Sequence, residues 1–428
     1  MRTRRVVVTA LAIWALALSL SVRAHQAPAA AARSRAPVTK PAVQAPANPD
    51  CLECHGDEGM VRADGRPVAG TSPEFDASIH AETACVDCHQ DLATTADFPH
   101  PEKLAKVNCA ECHSDQVAKY SAGVHATARG QGSQYAASCI DCHGMHDIRP
   151  SSDPQSPTHH LQLASTCGKC HGNAEIIAKG GIPEDVTKKF ADSIHGTALS
   201  RSGLIVAPTC SGCHGAHDIL KPGDPKSSVA PGHVPATCGT CHEGIARQFA
   251  AGVHGTTLAR GEPSAPTCQT CHTAHAIQRT DKPDWQLSAI RQCGTCHAAR
   301  IATFRDTFHG QVTTLGFRAV AGCADCHGAH EIRPASDPLS PVSPGRLVAT
   351  CGKCHANAGP SFVKYDPHAN KHDRARNPAL FFASKFMTGL LFTVFTFFGV
   401  HTSFWFAREF RDRRDRRGAG PAKPEGAK

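Results

Sequence analysis

The cysteines and histidines are the residues of this chain whose types and spacing point to chemistry. All 22 cysteines form Cys-x-x-Cys pairs, and a histidine directly follows each pair. The resulting motifs are Cys51, Cys54, His55; Cys85, Cys88, His89; Cys109, Cys112, His113; Cys139, Cys142, His143; Cys167, Cys170, His171; Cys210, Cys213, His214; Cys238, Cys241, His242; Cys268, Cys271, His272; Cys293, Cys296, His297; Cys323, Cys326, His327; and Cys351, Cys354, His355. Two thiols at this spacing add to the vinyl groups on one edge of a porphyrin, and the adjacent imidazole ligates the iron from one face. The pattern therefore predicts eleven covalently attached c-type haems, each with an iron-ligating motif histidine.

Two other uses of paired cysteines have to be weighed against haem attachment. An even number of cysteines in an exported chain permits a disulfide framework, and Cys-x-x-Cys pairs also build zinc sites. Neither use requires a histidine directly after every pair, and an odd number of pairs cannot combine entirely into four-cysteine zinc sites. Haem attachment is the interpretation that accounts for every residue of the motif.

Histidines outside the motifs supply candidates for the second axial ligand of a low-spin electron-transfer haem. One class follows the first motif of each repeat, and a second class lies three residues after a motif histidine. The first class comprises His80, His125, His195, His254, His309 and His368; the second comprises His146, His217, His275 and His330, with His100 standing in for its missing member. These eleven residues match the number of predicted haems, and a surface or core histidine is the alternative for each. The spacing leaves open which residue serves which haem, because a ligand can come from a neighbouring repeat.

The remaining histidines carry weaker expectations. His372 competes with His368 for the last site, because neither keeps the glycine that follows most of its class. No haem role is expected for His25, His159, His160 and His233. His401 lies in an apolar segment, where an ionisable side chain is a candidate b-haem ligand or quinone contact. Packing of His401 against a partner helix is the interpretation that we favour.

The composition excludes a conventional side-chain core. The chain has 36 Gly and 30 Pro, and between Cys51 and Pro378 there are only eight Phe, three Tyr and one Trp. So few large apolar side chains cannot fill a domain of that length, and we expect the haems to form the core. We predict a mostly irregular fold with short α-helices and almost no β-sheet. A Rossmann, TIM-barrel or sandwich enzyme is excluded as the leading idea, and the chain has no Walker loop or nucleophile elbow.

The motif spacing indicates a two-haem repeat. Successive first cysteines lie 34, 24, 30, 28, 43, 28, 30, 25, 30 and 28 residues apart, so that a repeat spans about 55–60 residues. We place an undecahaem domain at 51–378, with repeats at 51–108, 109–166, 167–237, 238–292 and 293–350 and a half repeat at 351–378. Helix-compatible stretches run from Ile245 to Leu258, from Pro183 to Leu199 and from Arg300 to Val312, with Pro183 at a helix start and the first-class histidines near helix ends.

Both ends of the chain carry segments that indicate a membrane. Residues 1–24 predict a secretory signal peptide, with an uncleaved anchor as the alternative, and Ala/Pro-rich residues 25–50 predict a flexible linker. The 22 uncharged residues 386–407 are long enough to span a bilayer as a helix. The basic tail 408–428 then lies in the cytoplasm by the positive-inside rule. These segments predict a single-pass inner-membrane protein whose haem domain faces the periplasm.

The formal net charge of +8 comes from the two ends of the chain, because the signal and the tail contribute +4 each and leave residues 25–407 near zero. Each haem adds two propionates and a ferric core of about +1, so the exported part is acidic when haems are bound. We expect no nucleic-acid partner. Soluble redox partners are expected to present basic surfaces.

Residues 51–355 resemble the multihaem cytochromes c of the c3-like, doubled Cys-x-x-Cys-His family. The matching residues are the Cys-His-Gly-Ala-His runs at Cys213–His217 and Cys326–His330 and Ser-x-His-Gly elements such as Ser193–Gly196. The resemblance implies stacked bis-histidine haems that form a continuous electron path. The chain departs from the quinol-oxidising cytochromes of the nitrite-reductase type, whose membrane anchor is usually N-terminal.

From these features we expect a membrane-anchored electron-transfer protein of anaerobic-type respiration. Haem 11, at Cys351, Cys354 and His355, is expected to exchange electrons with a cytochrome b or quinol dehydrogenase, and the far end with a periplasmic or outer-membrane redox partner. Three alternatives stay open: a reductase or oxidase of nitrogen or sulfur compounds with one open haem, a quinol dehydrogenase subunit with a site near His368, His372 and Lys385, and an extracellular cytochrome filament. The matched ligand count disfavours the first of these, the single helix disfavours the second and the C-terminal anchor disfavours the third.

Overall fold

Short helices joined by turns and extended connectors make up the fold. The computed structural model describes residues 45–57, 59–62, 64–65, 68, 72–95, 98–317 and 319–418. The predicted signal peptide 1–24, His25, most of the linker 25–50 and residues 419–428 of the tail lie outside the described residues. No β-strand occurs in the described part of the chain, and the expected fold class is confirmed.

The helices are mostly one to three turns long. In chain order they are α1 Asn48–His55, α2 Ser72–Asp76, α3 Cys85–Cys88, α4 Ala110–Ala122, α5 Val124–Gly130, α6 Cys139–His143, α7 Leu163–His171, α8 Ala174–Gly180, α9 Val186–Ala191, α10 Ile194–Ser200, α11 Cys210–His214, α12 Val234–Gly239, α13 Glu243–Ala251, α14 Val253–Ala259, α15 Cys268–His272, α16 Pro283–Cys296, α17 Ala298–Arg305, α18 Phe308–Thr314, α19 Cys323–His327, α20 Leu347–Gly352 and α21 Pro378–Gly418; two 3₁₀ turns span Gln90–Leu92 and Phe362–Lys364.

The motif helices are capped from within the motif. Where Asp precedes the second cysteine, its carboxylate accepts a hydrogen bond from the backbone N–H of the residue before the first cysteine. The distances are 2.9 Å for Asp87, 2.6 Å for Asp141 and 2.7 Å for Asp325. An acidic side chain in the first turn also complements the helix dipole. These caps fix the short helix that presents both cysteines and the histidine.

Each stretch expected as one helix before a first-class histidine is in fact two helices. The pairs α9 and α10, α13 and α14, and α17 and α18 are each interrupted by an extended residue, for example Gly252 with φ −83° and ψ 169°. In the first pair the Ser193 hydroxyl donates to the Phe190 carbonyl oxygen at 2.6 Å and accepts from the Gly196 N–H at 3.1 Å. This bridge caps the second helix and turns the chain. The first-class histidine is then the second residue of the new helix. Pro183 does not start a helix, because α9 begins only at Val186.

The glycine of the Ser-x-His-Gly element is required by this turn. A Cβ on Gly196, Gly255 or Gly310 would lie 2.1 Å from the carbonyl oxygen of a phenylalanine in the preceding helix. Only glycine permits such a close approach of the two backbones. The sequence element is thus the signature of a tight helix-to-helix reversal that presents one histidine.

A left-handed residue presents the second-class histidines. Gly144, Gly215 and Gly328, each directly after a motif histidine, have φ values of +85°, +78° and +80°. The corresponding residue in the fourth repeat is Thr273, with φ +64° and ψ 176°, a region that is essentially restricted to glycine. The turn ends the motif helix and places a second histidine three residues after the first.

Backbone hydrogen bonds tie each repeat to the next. The N–H before a first-class histidine donates to the carbonyl oxygen two residues after a second-class histidine of the following repeat. The four bonds are Ile79 to Ile148 at 2.8 Å, Val124 to Ile219 at 2.8 Å, Ile194 to Ile277 at 2.7 Å and Val253 to Ile332 at 2.8 Å. The two histidine classes of adjacent repeats are therefore held at fixed relative positions.

Buried side chains contribute little to the interior. Among the described residues only Ala207, Ala230, Val234 and Phe304 are buried apolar side chains. A continuous cavity of about 5060 Å³ runs through the domain and is lined by residues of the third to eleventh motifs. Ordinary small-molecule pockets measure about 300–1,000 Å³. The space is large enough for several large planar groups in succession.

The last helix, α21, differs from all the others. It has 41 residues and a length of about 62 Å at 1.5 Å per residue, and it contains the predicted membrane segment 386–407. It is the one helix among the described residues that is long and apolar enough to cross a membrane, with a mean hydropathy of 1.6 over its most apolar window. Arg374 and Lys385 lie over the rings of Phe382 and Phe381, at 5.3 and 5.6 Å from the ring centres.

Gly255→Ala should destabilise the domain, because the added methyl group collides with the Phe249 carbonyl oxygen. We expect a loss of about 1–3 kcal/mol, as for other overpacked sites. Thermal unfolding of the purified haem-loaded protein measures the effect. Gly345→Ala is the control, since nothing lies within 4 Å of the position of its Cβ. Equal midpoints for the two variants would contradict the steric account.

Thr273→Gly should stabilise the protein by about 1 kcal/mol, because it relieves a backbone conformation that costs a non-glycine residue energy. The thermal midpoint is expected to rise. The reverse exchange, Gly328→Thr, places threonine at an equivalent φ of +80° with nothing nearer to the Cβ position than 3.8 Å, and it should lower the midpoint. A fall in the midpoint for Thr273→Gly would show that the threonine side chain itself stabilises this turn.

Candidate haem sites

Every motif histidine faces one histidine from outside the motifs. The ring centres of each pair lie 5.9 to 6.4 Å apart. In motif order the pairs are His55 with His100, His89 with His146, His113 with His80, His143 with His217, His171 with His125, His214 with His275, His242 with His195, His272 with His330, His297 with His254, His327 with His368, and His355 with His309. We number the sites 1 to 11 in this order. The structure thus places all eleven histidines of the two predicted classes, His100 included, opposite a motif histidine.

The ring separation fits a single iron atom between the two imidazoles. A metal–imidazole bond is about 2.0 Å long, and the ring centre lies about 1.1 Å behind the ligating nitrogen. Two ligands on opposite faces of an iron are therefore expected about 6 Å apart. The residues present, two thiols and two imidazoles at each site, have the donor chemistry of a covalently held six-coordinate haem.

The pairs cross repeat boundaries in a regular way. The first-class histidine of one repeat faces the first motif of the next, as His125 of the second repeat faces His171 of the third. The second-class histidine faces the second motif of the preceding repeat, as His275 faces His214. There are two exceptions: His100 faces His55 within the first repeat, and His368, a first-class histidine, faces His327 of the second motif of the fifth repeat. The sequence left this assignment open. The backbone hydrogen bonds between the five repeats hold the two histidine classes in the positions that these pairs require.

Hydrogen bonds at the ring nitrogens support ligation by His100 and His368, the two predicted ligands that depart from the sequence pattern of the other nine. The Nδ1 atom of His100 lies 2.9 Å from the Pro101 carbonyl oxygen, to which it can donate. The Nδ1 atom of His368 lies 3.1 Å from the Thr303 hydroxyl. Either bond engages one ring nitrogen and leaves Nε2 as the ligating atom, the arrangement found for most metal-bound histidines. His368 has the motif partner, whereas the side chain of its competitor His372 is exposed.

Burial disfavours the protonated form of several of the paired imidazoles. It lowers the pKa of His125, His214 and His254, and in all three cases the facing histidine lowers the pKa further. The same direction and cause hold for His171 and His327. Only the neutral ring has a lone pair for a metal. The sites are thus arranged for iron ligation at neutral pH.

Neighbouring motifs follow one another in space in the order of the chain. Within each repeat the first cysteines of the two motifs lie next to each other: Cys51 and Cys85, Cys109 and Cys139, Cys167 and Cys210, Cys238 and Cys268, and Cys293 and Cys323. Between repeats the second cysteine lies near a cysteine of the next motif: Cys88 near Cys112, Cys142 near Cys170, Cys213 near Cys238, Cys271 near Cys293, and Cys326 near Cys351. The two kinds of contact alternate without a gap from the first motif to the eleventh.

Histidines outside the pairs have other surroundings. The Nε2 atom of His160 lies 2.9 Å from the Ala207 carbonyl oxygen, and the Nδ1 atom of His233 lies 2.9 Å from that of Ser227. The Nδ1 atom of His159 accepts from the Leu161 N–H at 3.3 Å. His401 lies on α21, with its ring centre 6.4 Å from that of Phe397.

Two aromatic residues that the sequence analysis did not single out contact motif histidines. Trp285 is stacked on His272, with ring centres 5.3 Å apart and planes inclined by 18°. Phe362 lies 4.9 Å from His355 at 46°. A signal for the first was available, because Trp285 is the one tryptophan between Cys51 and Pro378. For Phe362 the sequence offers no comparable signal.

Comparison with known proteins agrees with this chemistry. The chain is similar to a high-molecular-weight cytochrome c of Nitratidesulfovibrio vulgaris strain Hildenborough, with 29% identity over 127 residues. The aligned region covers 28% of this chain and 20% of the relative, so the likeness spans about a fifth of the relative's length. No protein-family model and no solved structure matches the chain. The name of this relative agrees with the haem-attachment motifs of the sequence.

Proposed function

We propose that this chain is a membrane-anchored c-type cytochrome of the c3-like, doubled-motif kind, which carries electrons along eleven bis-histidine haems. The observation that supports it best is the set of eleven ring pairs, each joining a motif histidine to one other histidine at 5.9 to 6.4 Å. With both axial positions filled by protein, no site is left for a substrate. This favours electron transfer over a multihaem reductase or oxidase.

The cysteines and the histidines have different roles at each site. The two cysteines of a motif hold the porphyrin edge, and the paired histidines fix the iron and exclude water from it. Bound haem supplies reversible one-electron chemistry at a potential set by ligation, burial and the propionate environment. The alternating cysteine contacts keep successive sites adjacent from the first to the eleventh, which is the arrangement that a continuous electron path needs.

The membrane end of the path is site 11. The segment after it is tied to the fifth repeat by the ion pair between Lys371 and Asp306, at 3.1 Å, and α21 begins at Pro378. We place α21 across the inner membrane with the haem domain in the periplasm, because six arginines between 408 and 417 favour the cytoplasm. In this orientation site 11 is next to the membrane. Its redox partner is then a membrane cytochrome b or quinol dehydrogenase.

The opposite end of the path is suited to a basic soluble partner. Repeat 51–108 contains 11 acidic and 4 basic side chains and has a net charge of −7, whereas the half repeat 351–378 contains 2 acidic and 5 basic side chains and has a net charge of +3. The repeats between them lie between −2 and +1. Bound propionates make the first repeat more negative still. We propose that a periplasmic or outer-membrane redox protein with a basic face docks there, next to sites 1 and 2.

The haem-loaded protein should hold eleven low-spin haems and should not bind carbon monoxide when reduced. His254→Ala removes the histidine that faces His297, so it should create one CO-binding haem per chain. A pyridine haemochrome count and CO difference spectra measure both results. His372→Ala is the control, because this exposed side chain has no ring partner in the described part of the chain.

A wild-type protein that binds CO at one haem would contradict the closed set of ligands. It would favour a reductase with an open site, and the search for substrates would begin with nitrogen and sulfur compounds. CO binding by the wild type at several haems would overturn the pairing altogether.

Neutralising the first repeat should slow electron transfer to a basic partner. Glu53, Glu74, Glu82 and Glu102 are exposed and make no hydrogen bond or ion pair among the described residues. Changing all four to Gln should reduce the second-order rate with mitochondrial cytochrome c, a basic probe, by about tenfold or more at low salt. The matched control changes Glu175, Glu184, Glu243 and Glu262 to Gln, which alters the net charge equally but in the middle repeats.

The same rate comparison at high salt distinguishes a loss of charge attraction from a loss of folded structure. The difference in rate between the two variants should disappear when surface charges are screened. Carbodiimide cross-linking of the wild type to the probe, followed by mass spectrometry, locates the contact. Cross-links in the first repeat are expected. Equal slowing by both variants, or cross-links confined to the middle repeats, would refute docking at this end.

A further inference from the structure

The repeats provide an internal comparison, and site 8 departs from the others in three places. Thr273 replaces the left-handed glycine that follows His143, His214 and His327. The connector to the next repeat lacks the buried serine turn that the connectors of the second, third and fifth repeats have at Ser156, Ser227 and Ser340. In place of that turn the chain forms the 14-residue helix α16, which carries Trp285. All three departures lie at or next to His272.

The first turn of α16 holds Trp285 against His272. Lys282 and Pro283 form the helix start, and the Gln286 N–H donates to the Lys282 carbonyl oxygen at 3.1 Å. Just before the helix, two hydrogen bonds of 3.0 and 2.7 Å join the Arg279 guanidinium to the Asp281 carboxylate. The tryptophan is partly buried and belongs to the lining of the central cavity. The stacked ring is therefore part of the site and is carried by the first turn of α16.

Sites 4 and 6 are the reference for the histidine geometry of site 8, because they have the same type of histidine pair and no tryptophan among the described residues. Their histidine planes are nearly parallel, at 8° and 10°, and those of site 8 are at 16°. All three sites pair a second motif with a second-class histidine. Only site 8 of the three has an additional aromatic ring on its motif histidine, as far as the described residues extend. The tryptophan is thus the difference at site 8 that adds a ring to the motif histidine itself.

A ring stacked on an axial ligand has two physical effects. It restricts rotation of the imidazole about its Cβ–Cγ bond, and it covers the ligand from water. Removing water disfavours the ferric core, which has one more positive charge than the ferrous core, so the reduction potential rises. Sites 4 and 6 lack this cover and provide the reference.

We infer that Trp285 is a positioning residue for His272 and gives site 8 a higher reduction potential than sites 4 and 6, so that an electron rests in the middle of the path. The inference rests on the proposed function, because it assumes a ligated haem at each of these sites. It concerns the tuning of one site, and electron transfer along the chain does not depend on it.

The test uses the full-length, haem-loaded protein in detergent. Trp285→Leu keeps apolar volume but removes the stacked ring, and Trp285→Phe keeps a ring. For Trp285→Leu we expect one of the eleven haems to become about tenfold harder to reduce, a shift of about 59 mV for a one-electron couple. One low-spin EPR signal should change with it. Trp285→Phe should restore most of the wild-type reduction potential and of the wild-type EPR signal. Trp405→Leu on α21 is the control.

A ¹⁹F NMR titration of protein that retains Trp285 tests the same inference if Trp285→Leu does not fold. Labelling a Trp14→Phe variant with 5-fluorotryptophan places a ¹⁹F reporter on Trp285 and a reference on Trp405, the two tryptophans that remain. The Trp285 resonance should sharpen on reduction at a higher potential than the median of the optical titration. Sharpening at or below the median overturns the inference.

The remaining outcomes separate the two proposals. A haem count below eleven in the wild type, or CO binding by it, contradicts the proposed function. Eleven CO-silent haems, with potentials and EPR signals that Trp285→Leu leaves unchanged, refute only the role of Trp285. Equal reduction potentials and EPR signals for Trp285→Leu and Trp285→Phe would show that apolar packing is sufficient. This result would also overturn the role of the stacked ring.

Discussion

Two imidazole rings must stand about 6 Å apart, on opposite faces of one iron atom, wherever a six-coordinate haem is to be held. A single short segment cannot supply both rings, because the residues next to the porphyrin attachment point lie on one face only. The second ring has to come from elsewhere in the chain. Each local feature of this fold contributes to bringing it there: the helix reversal at Gly255 and its equivalents, the left-handed residue after the motif histidine, and the backbone bonds between repeats.

The exchange of histidines between neighbours makes the repeats interdependent. In most repeat proteins adjacent units contact each other through apolar side chains. Here each interior repeat gives one histidine forward and one backward, so under the proposed ligation it cannot complete its own sites. The two irregular histidines are explained by the same rule. Residues 1–50 contain no Cys-x-x-Cys-His motif, and His100 of the first repeat faces His55 of the same repeat. The half repeat 351–378 contains a single motif, and its His368 faces His327.

Under the proposed function, charge and geometry give the two ends of the path different tasks. The end near α21 has a net positive half repeat, and the far end has a strongly negative repeat. Attraction of a basic protein to the far end raises its rate of encounter without requiring a large apolar interface. Such an arrangement is suited to a partner that has to leave again after each electron. Between the ends, the repeated site geometry sets a common environment, against which a single added ring such as Trp285 is able to shift one site.

The sequence by itself determined the chemistry of this protein. The obligatory histidine after each cysteine pair predicted haem attachment, the scarcity of large apolar residues predicted an irregular helical fold, and the two histidine classes predicted the candidate ligands, because all of these follow from the types and spacing of residues close together in the chain. The fold class and the apolar C-terminal helix agree with the structure. The sequence did not predict the helix reversals, since a stretch such as Ile245 to Leu258 has helical composition throughout and the break depends on a backbone contact of Gly255.

Only the tertiary structure decided which histidine faces which motif. His125 and His171 are 46 positions apart in different repeats, and nothing in local spacing distinguishes that partner from His146 or His217. The choice depends on backbone bonds between repeats such as that from Val124 to Ile219, which form only when the whole chain is folded. The position of Trp285 on His272 likewise results from the placement of α16, and its contact could not be read from the chain before the repeats were assembled.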